Sequence, residues 1–216
     1  MSLTTLLPPP PVLAPYRSER RHDLSGLTRD ARGALAYADE SDEEFELRDL
    51  YGLPVVRSAP RAPGDTDRAW AAAHPLRQAQ LMSELLCQVC GESAAETPDG
   101  GTYLWAVPGR VRAEDVAGPA LPSLLGGPPV CPRHTAPPCP HLRAHGVTIL
   151  RAPHEAVAVT AARAYLLNPR TLTLIQENTV ILHKPLARRA LALELLVGLR
   201  RAEVVDVLAP TRVGGT

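Results

Sequence analysis

Cys87-Gln88-Val89-Cys90-Gly91 and, further on, Cys131-Pro132-Arg133-His134 constrain this chain more than any other stretch. Two Cys separated by two residues, then a Cys and a His at the same separation, set out four soft or borderline ligands in two pairs. That donor set and spacing is what tetrahedral zinc takes. A C-x-x-C turn points both sulfurs to one side of a tight loop, and its N–H groups can donate to the thiolates. Gly91 stands where the chain must turn sharply, and glycine adopts positive φ without steric cost. The second pair follows Pro128-Pro129-Val130, a stiff approach, and its i, i+3 spacing suits the first turn of a helix. A knuckle, a hairpin and a ligand pair at a helix start predict a treble-clef-like or ribbon-like site holding a structural Zn2+.

The gap between the pairs is 40 residues, 91 to 130. It holds Asp99-Gly100-Gly101, a hairpin turn signal, beside a strand expected over 102–107. From Pro108-Gly109 to Gly126-Gly127 the chain is turn-rich and reads as an insertion in the hairpin or its loose return.

All four Cys of the chain lie within 53 residues. A redox C-x-x-C, the rival reading, follows a strand and opens a helix at its first Cys. Here a helix-like segment precedes Cys87, which is the reverse. A disulfide framework belongs to exported proteins, and no export signal is evident. Cys139-Pro140-His141 follows closely. The favoured metal ligands are therefore Cys87, Cys90, Cys131 and His134, with Cys139 and His141 as alternates. If unligated, Cys139 would pack as a small buried apolar residue.

These residues also carry a resemblance. His74-Pro75-Leu76-Arg77-Gln78, Leu85-Leu86 with the first Cys pair, Asp99-Gly100 with Leu104-Trp105, Pro128-Pro129-Val130-Cys131 and Cys139-Pro140-His141-Leu142-Arg143 resemble a group of actinobacterial proteins, many from streptomycetes. The similarity covers about residues 34 to 165. In that group the second pair is more often C-x-x-C, so His134 would make this site Cys3His. The resemblance implies the metal site and a bacterial origin, and no activity.

The chain of 216 residues has room for one ordinary domain with a tail, or two small units. Hydrophobic residues make up 45 % but aromatics only 4 %, so the expected core is built of small aliphatics. Lys plus Arg and Asp plus Glu balance at 23 each, which weighs against a general nucleic-acid or membrane-surface binder. No run approaches the roughly 18 apolar residues of a membrane span, and a cytoplasmic protein is expected.

Four regions are expected. Residues 1–32, with Pro8-Pro9-Pro10-Pro11, read as an extended or disordered arm. Residues 33–150 form the zinc-ribbon-like domain. They open with strands near 34–38 and 53–57 flanking Asp39-Glu40-Ser41-Asp42-Glu43-Glu44, five acids in six residues, read as a solvated loop. A helix over 67–86, capped by Asp67 and interrupted at Pro75, delivers Cys87. Residues 151–205 hold a β-hairpin and a C-terminal helix on the same core, and 206–216 form a tail. Across the boundary at 150/151 a strand is expected over 146–151, and 156–167 reads as strand, with a helix from about 154 to 167 as the alternative. The segments 170–175 and 179–183 pair around Gln176-Glu177-Asn178, on the alternation of Leu and Thr in 171–174. Pro185 opens an amphipathic helix with Leu186, Ala190, Leu193 and Val197 on one stripe. The fold class is α+β.

The function expected is a zinc-stabilised module that binds a protein, with nucleic acid as a lesser partner through Arg110, Arg112, Arg133 and Arg143. A His-Asn-His-type nuclease on a treble-clef scaffold needs a general-base His on the hairpin. The strand at 102–107 has none, and no acid pairs recognisably with His141, His145 or His154. No catalytic residue is expected.

Overall fold

The computed structural model describes residues 11–69, 72–116, 124–125, 127, 129–135 and 140–209. In chain order the elements are β1 (His22–Asp23), β2 (Leu27–Arg29), β3 (Leu35–Tyr37), α1 (Asp42–Tyr51), β4 (Arg57–Ser58), α2 (Pro75–Ser83) and β5 (Thr102–Pro108). Then follow α3 (Ala113–Val116), β6 (Leu124–Leu125), α4 (Pro140–His145), β7 (Val147–Pro153), β8 (Val157–Leu167), β9 (Leu174–Ile181), β10 (Ala190–Leu199) and β11 (Glu203–Leu208). Helices thus combine with small antiparallel sheets, ordered β6-β10-β8-β9, β11-β7-β5, β1-β4 and β2-β3.

One apolar cluster joins the two larger sheets to α1 and α2. It takes Trp105 from β5, Leu150 from β7, Ala162 and Ala164 from β8, Leu195 and Val197 from β10, and Met82 from α2. Alanines at 152, 161, 162, 164, 190 and 192 are all but fully buried. Their small side chains let helices and strands approach closely, as the aromatic-poor composition predicts.

β10 replaces the expected C-terminal helix. Pro185–Arg189 makes only a short 3-10 turn, and the chain then runs extended through Ala190–Leu199. Nine of those ten residues are buried. A strand covered on both faces reads as a continuous apolar run, and periodicity alone does not separate that from a helix. Both edges of β10 are covered as well. β8 pairs along one edge. Along the other, Ala192 exchanges backbone hydrogen bonds with Pro54 and Val56, Leu195 bonds to the side chain of Gln78, and Val197 and Gly198 pair with β6.

Two strand expectations shift. The hairpin expected around Gln176-Glu177-Asn178 turns earlier, and those three residues lie inside β9. The turn is at Asn168-Pro169, where Asn168 Oδ1 accepts from the N–H groups of Arg170 and Thr171 at 2.9 and 3.3 Å. Asn and Pro are the stronger turn formers. The segment at 34–38 does hold a strand, but β3 pairs with β2 rather than with 53–57. Both expected strands at 102–107 and 146–151 are present and pair with each other. Val157–Leu167 is the single strand β8, and His154–Ala156 before it is a 3-10 turn.

The acidic tract is half turn and half helix, with Asp39-Glu40-Ser41 leading into α1 at Asp42. Ser41 caps α1, accepting from the Glu44 N–H while the Glu44 side chain accepts from the Ser41 N–H. Asp42, Glu43 and Glu44 fill the first turn, where the helix dipole favours negative charge. Arg48 pairs with Glu40 and Asp30 at 2.8 and 3.2 Å. Arg57 pairs with Glu44 and Asp39 at 2.6 and 2.8 Å and lies over the Tyr37 ring. Three of the five acids are thus paired with Arg48 of α1 or Arg57, while Asp42 and Glu43 stand exposed on the first turn.

Residues 11–32, read as part of an arm, carry a 3-10 turn and β1 and β2. Their first residues lie along the knuckle, with the Val12 and Leu13 N–H groups donating to the carbonyls of Val89 and Gln88. The tetraproline begins in residues 1–10, outside the described residues. No helix is long and apolar enough to cross a membrane among the described residues.

Candidate metal centre

The helix that leads to Cys87 begins later than the sequence predicts. Pro75 occupies its first position and His74, not Asp67, is its cap, with Nδ1 accepting from the Arg77 N–H at 3.3 Å. Pro suits that position because its missing N–H would have no helical partner. α2 is fastened to the central strand by Gln78, which is fully buried.

Beyond α2 the chain folds back on itself. Leu86 bridges Ser93, the Ala94 N–H donates to Leu85, and the Cys87 N–H donates to Glu92. The Gly91 N–H donates to the Cys87 carbonyl at 2.8 Å, and Gly91 has φ +77°. That is the tight knuckle predicted for C-x-x-C-G. Cys131 arrives from the other direction, at the start of the 3-10 turn Pro132–His134. The ligand pair thus sits on a short 3-10 turn, and α4 begins only at Pro140.

β5 brings the two halves together. One edge of β5 is paired with β7. On the other edge, the Glu96 N–H donates to Thr102 and the Val130 N–H donates to Leu104. The return of the knuckle and the approach to the second pair therefore dock on consecutive positions of one strand. The Gln88 N–H, donating to Pro129, ties them directly. Arg151 on β7 braces the same region through Glu96 and through Glu203, the latter at 2.8 Å.

The result is a cluster of four ligand atoms, from Cys87, Cys90, Cys131 and His134, all within 4.8 Å of one another. Cys90 Sγ lies 3.9 Å from Cys131 Sγ. His134 Nδ1 lies 3.8 Å from Cys87 Sγ and 3.1 Å from Cys131 Sγ. Around a tetrahedral zinc, two sulfurs stand about 3.8 Å apart, and a sulfur and a nitrogen about 3.6 Å. The residues present fit such an ion in number, donor type and separation. Cys87 and Cys131 are buried, whereas Cys90 and His134 sit at the rim.

Electrostatics divides the thiols. Burial raises the Cys87 thiol, but the N–H groups of Cys131, Cys90 and Val89 outweigh it and leave its pKa below the ordinary value. Burial, and then the neighbouring Cys87 charge, push the Cys131 thiol up to about 11. Two thiolates this close repel each other, and a divalent cation between them removes that penalty.

The alternates fall outside what the structure describes. Cys139 lies outside the described residues, and so does the side chain of His141 in α4. The arginines proposed for phosphate have separate surroundings where they are described. Arg112 pairs with Glu114, Arg110 lines a cavity with His145, Arg133 is exposed on the 3-10 turn, and the Arg143 side chain lies outside the described residues. His154 sits edge-on to the Tyr103 ring at 5.7 Å.

Sequence reasoning missed the supports of the site: Gln78, the cap at His74 and the shared edge of β5. It also missed a cleft of about 310 Å³ lined by Arg32, Arg48, His183, Lys184 and Arg188 with Asp30 and Asp49. Only folding brings those positions together, so no local spacing announces them. Among known proteins, the chain matches no family model, no curated protein and no solved structure.

Proposed function

We propose that this chain is a zinc-stabilised interaction module whose partner is a protein. The observation that carries the reading is the convergence of Cys87, Cys90, Cys131 and His134 on one point. Three thiolates and an imidazole favour zinc over hard cations such as Mg2+ or Ca2+, which take oxygen ligands. Four protein ligands close the coordination sphere, and a closed sphere leaves no position for water or substrate. The metal's contribution is to hold the knuckle and the second ligand pair on β5 in a ribbon-like clamp.

A protein partner is supported by charge and surface. The formal net charge is zero, and large apolar side chains stand exposed on α1 (Phe45, Leu50), β9 and β11. Such residues mark protein contacts more than nucleic-acid contacts.

The test is the metal content of protein purified without added zinc, beside Cys131→Ser and Cys139→Ser. One zinc per chain, lost in Cys131→Ser and kept in Cys139→Ser, is the expected result. Absence of metal, with oxidation to a Cys87–Cys90 disulfide, would replace the reading with a redox protein. Salt-sensitive binding to nucleic acid would replace the protein partner.

A further inference from the structure

β9 (Leu174–Ile181) is the outermost strand of its sheet, and among the described residues only β8 pairs along it. Seven of its eight residues are exposed. Ile175 and Ile181 are 55 % and 50 % exposed. Outer strands are normally blunted by Lys, Pro or an unpaired charge. β9 has no Lys, Arg or Pro, and its one charge, Glu177, is paired with Arg163 at 3.0 Å. A register shift against β8 lies at the Leu174 end, leaving residues 176–181 regular.

The direction of its backbone groups follows from one hydrogen bond. The Leu182 N–H donates to the Thr160 carbonyl. In an antiparallel ladder such bonding alternates, so the backbone groups of Val180 and Asn178 turn toward β8 and those of Ile181, Thr179 and Glu177 face outward. Thr179 agrees, since its N–H is met by the side chain of its neighbour Asn178 at 2.8 Å.

The strand is also complementary to itself. Two copies related by a two-fold axis through Asn178 would place Ile175 opposite Ile181, Glu177 opposite Thr179, and Asn178 opposite Asn178. The outward backbone groups of Glu177 then meet those of Thr179, in the hydrogen-bonded phase of the ladder. The exposed isoleucines cover each other, and Asn178 need only release its own Thr179 N–H. Centring one residue earlier would set Glu177 against Glu177, a like-charge pair that antiparallel strands disfavour.

We propose that two copies of this chain pair antiparallel along β9, centred on Asn178, into one sheet continuous across both protomers. The inference does not rest on the metal. A strand-edge contact buries less than the about 1,200 Å² of a standard interface, so the association is concentration-dependent.

Sedimentation equilibrium of the zinc-assayed full chain tests it, together with two variants. The parent is expected to approach twice the monomer mass with rising concentration. Ile175→Lys/Ile181→Lys, which alters only exposed positions, is expected to stay monomeric with unchanged circular dichroism and metal content. Asn178→Cys tests the register. Residues opposed without backbone hydrogen bonds lie about 4.5 Å apart between Cα atoms, within disulfide reach. Mild oxidation of Asn178→Cys should therefore join the two protomers by a disulfide between the introduced thiols, mapped by peptide mass spectrometry. A parent monomeric up to about 1 mM, a lysine variant that still dimerises, or a dimer whose Asn178→Cys form does not crosslink would each overturn the proposal. Metal content on the same sample separates such a failure from a failure of the zinc reading.

Discussion

Gln78 holds Leu195 by both ends of its side-chain amide. Its Nε2 donates to the Leu195 carbonyl and its Oε1 accepts from the Leu195 N–H, each at 2.9 Å. The residues are 117 positions apart, and Gln78 is fully buried. The helix that leads into the candidate metal centre is thus bonded to the middle of the central strand.

Gln78→Ala leaves two backbone groups of Leu195 buried and unpaired. An orphaned buried group costs about 1–3 kcal/mol, so a loss of about 2–5 kcal/mol is expected in urea denaturation. Gln78→Met, which keeps the volume, should restore little of it. Full recovery in Gln78→Met would show that packing, not hydrogen bonding, is what Gln78 supplies.

His74 predicts a pH dependence. Burial, with Arg77 beside it, pushes its imidazole down to about 4. The unfolded chain takes up that proton near pH 6.5 and the folded chain resists it. The stabilisation is therefore complete above about pH 6.5 and is lost as pH falls toward 4, by at most about 3 kcal/mol. His74→Asn keeps a helix cap and should flatten that part of the stability–pH curve relative to the parent.

Gly91 turns the knuckle at φ +77°, and an added Cβ would meet only Val12 Cγ2 at 3.7 Å, an ordinary contact, and Val12 Cγ1 at 3.9 Å. The cost of Gly91→Ala is therefore one of backbone conformation, about 1–2 kcal/mol. Read through metal competition with a chromophoric chelator, that is an affinity about 5- to 30-fold lower. An unchanged affinity would mean that the turn does not hold the ligands in place.

Arg57 joins three groups: Glu44, Asp39 and the Tyr37 ring, whose centre is 4.0 Å away. Burial raises the Tyr37 hydroxyl to about 12, so the phenol stays neutral beside this network. Arg57→Lys keeps the charge but loses the planar fork and the stacking. A loss of about 1–2 kcal/mol is expected, and it should shrink with added salt as screening grows.

The knuckle was legible because its chemistry is local. Cys87, Cys90 and Gly91 lie within five residues and their spacing alone states the geometry. β5 and β7 were legible for the same reason, as short β-branched or aromatic runs beside Gly-rich turns. β10 was not, because a strand buried on both faces loses the alternation that identifies strands. The register of β9 was misread because Leu172 and Thr173 extend an apparent alternation through the Asn168-Pro169 turn. The acidic tract reads as solvated, and Asp39, Asp42 and Glu43 are exposed, but its pairing with Arg57, 13 residues beyond Glu44, exists only after folding. Nor does local spacing reveal Gln78, a helical glutamine whose partner lies 117 residues away.

The covering of β10 bears on solubility. Ala190–Leu199 is ten residues with a single charge, Glu194, and no proline. An exposed strand of that composition is a template for intermolecular pairing. Among the described residues, one of its edges is guarded by Pro54 and Val56, the amide of Gln78 and the two residues of β6. The middle guard belongs to α2, four residues before Cys87 in the chain. Disturbance of the knuckle therefore bears on the cover of the segment whose composition most favours aggregation, and substitution of its cysteines is expected to show first as precipitation, read by light scattering.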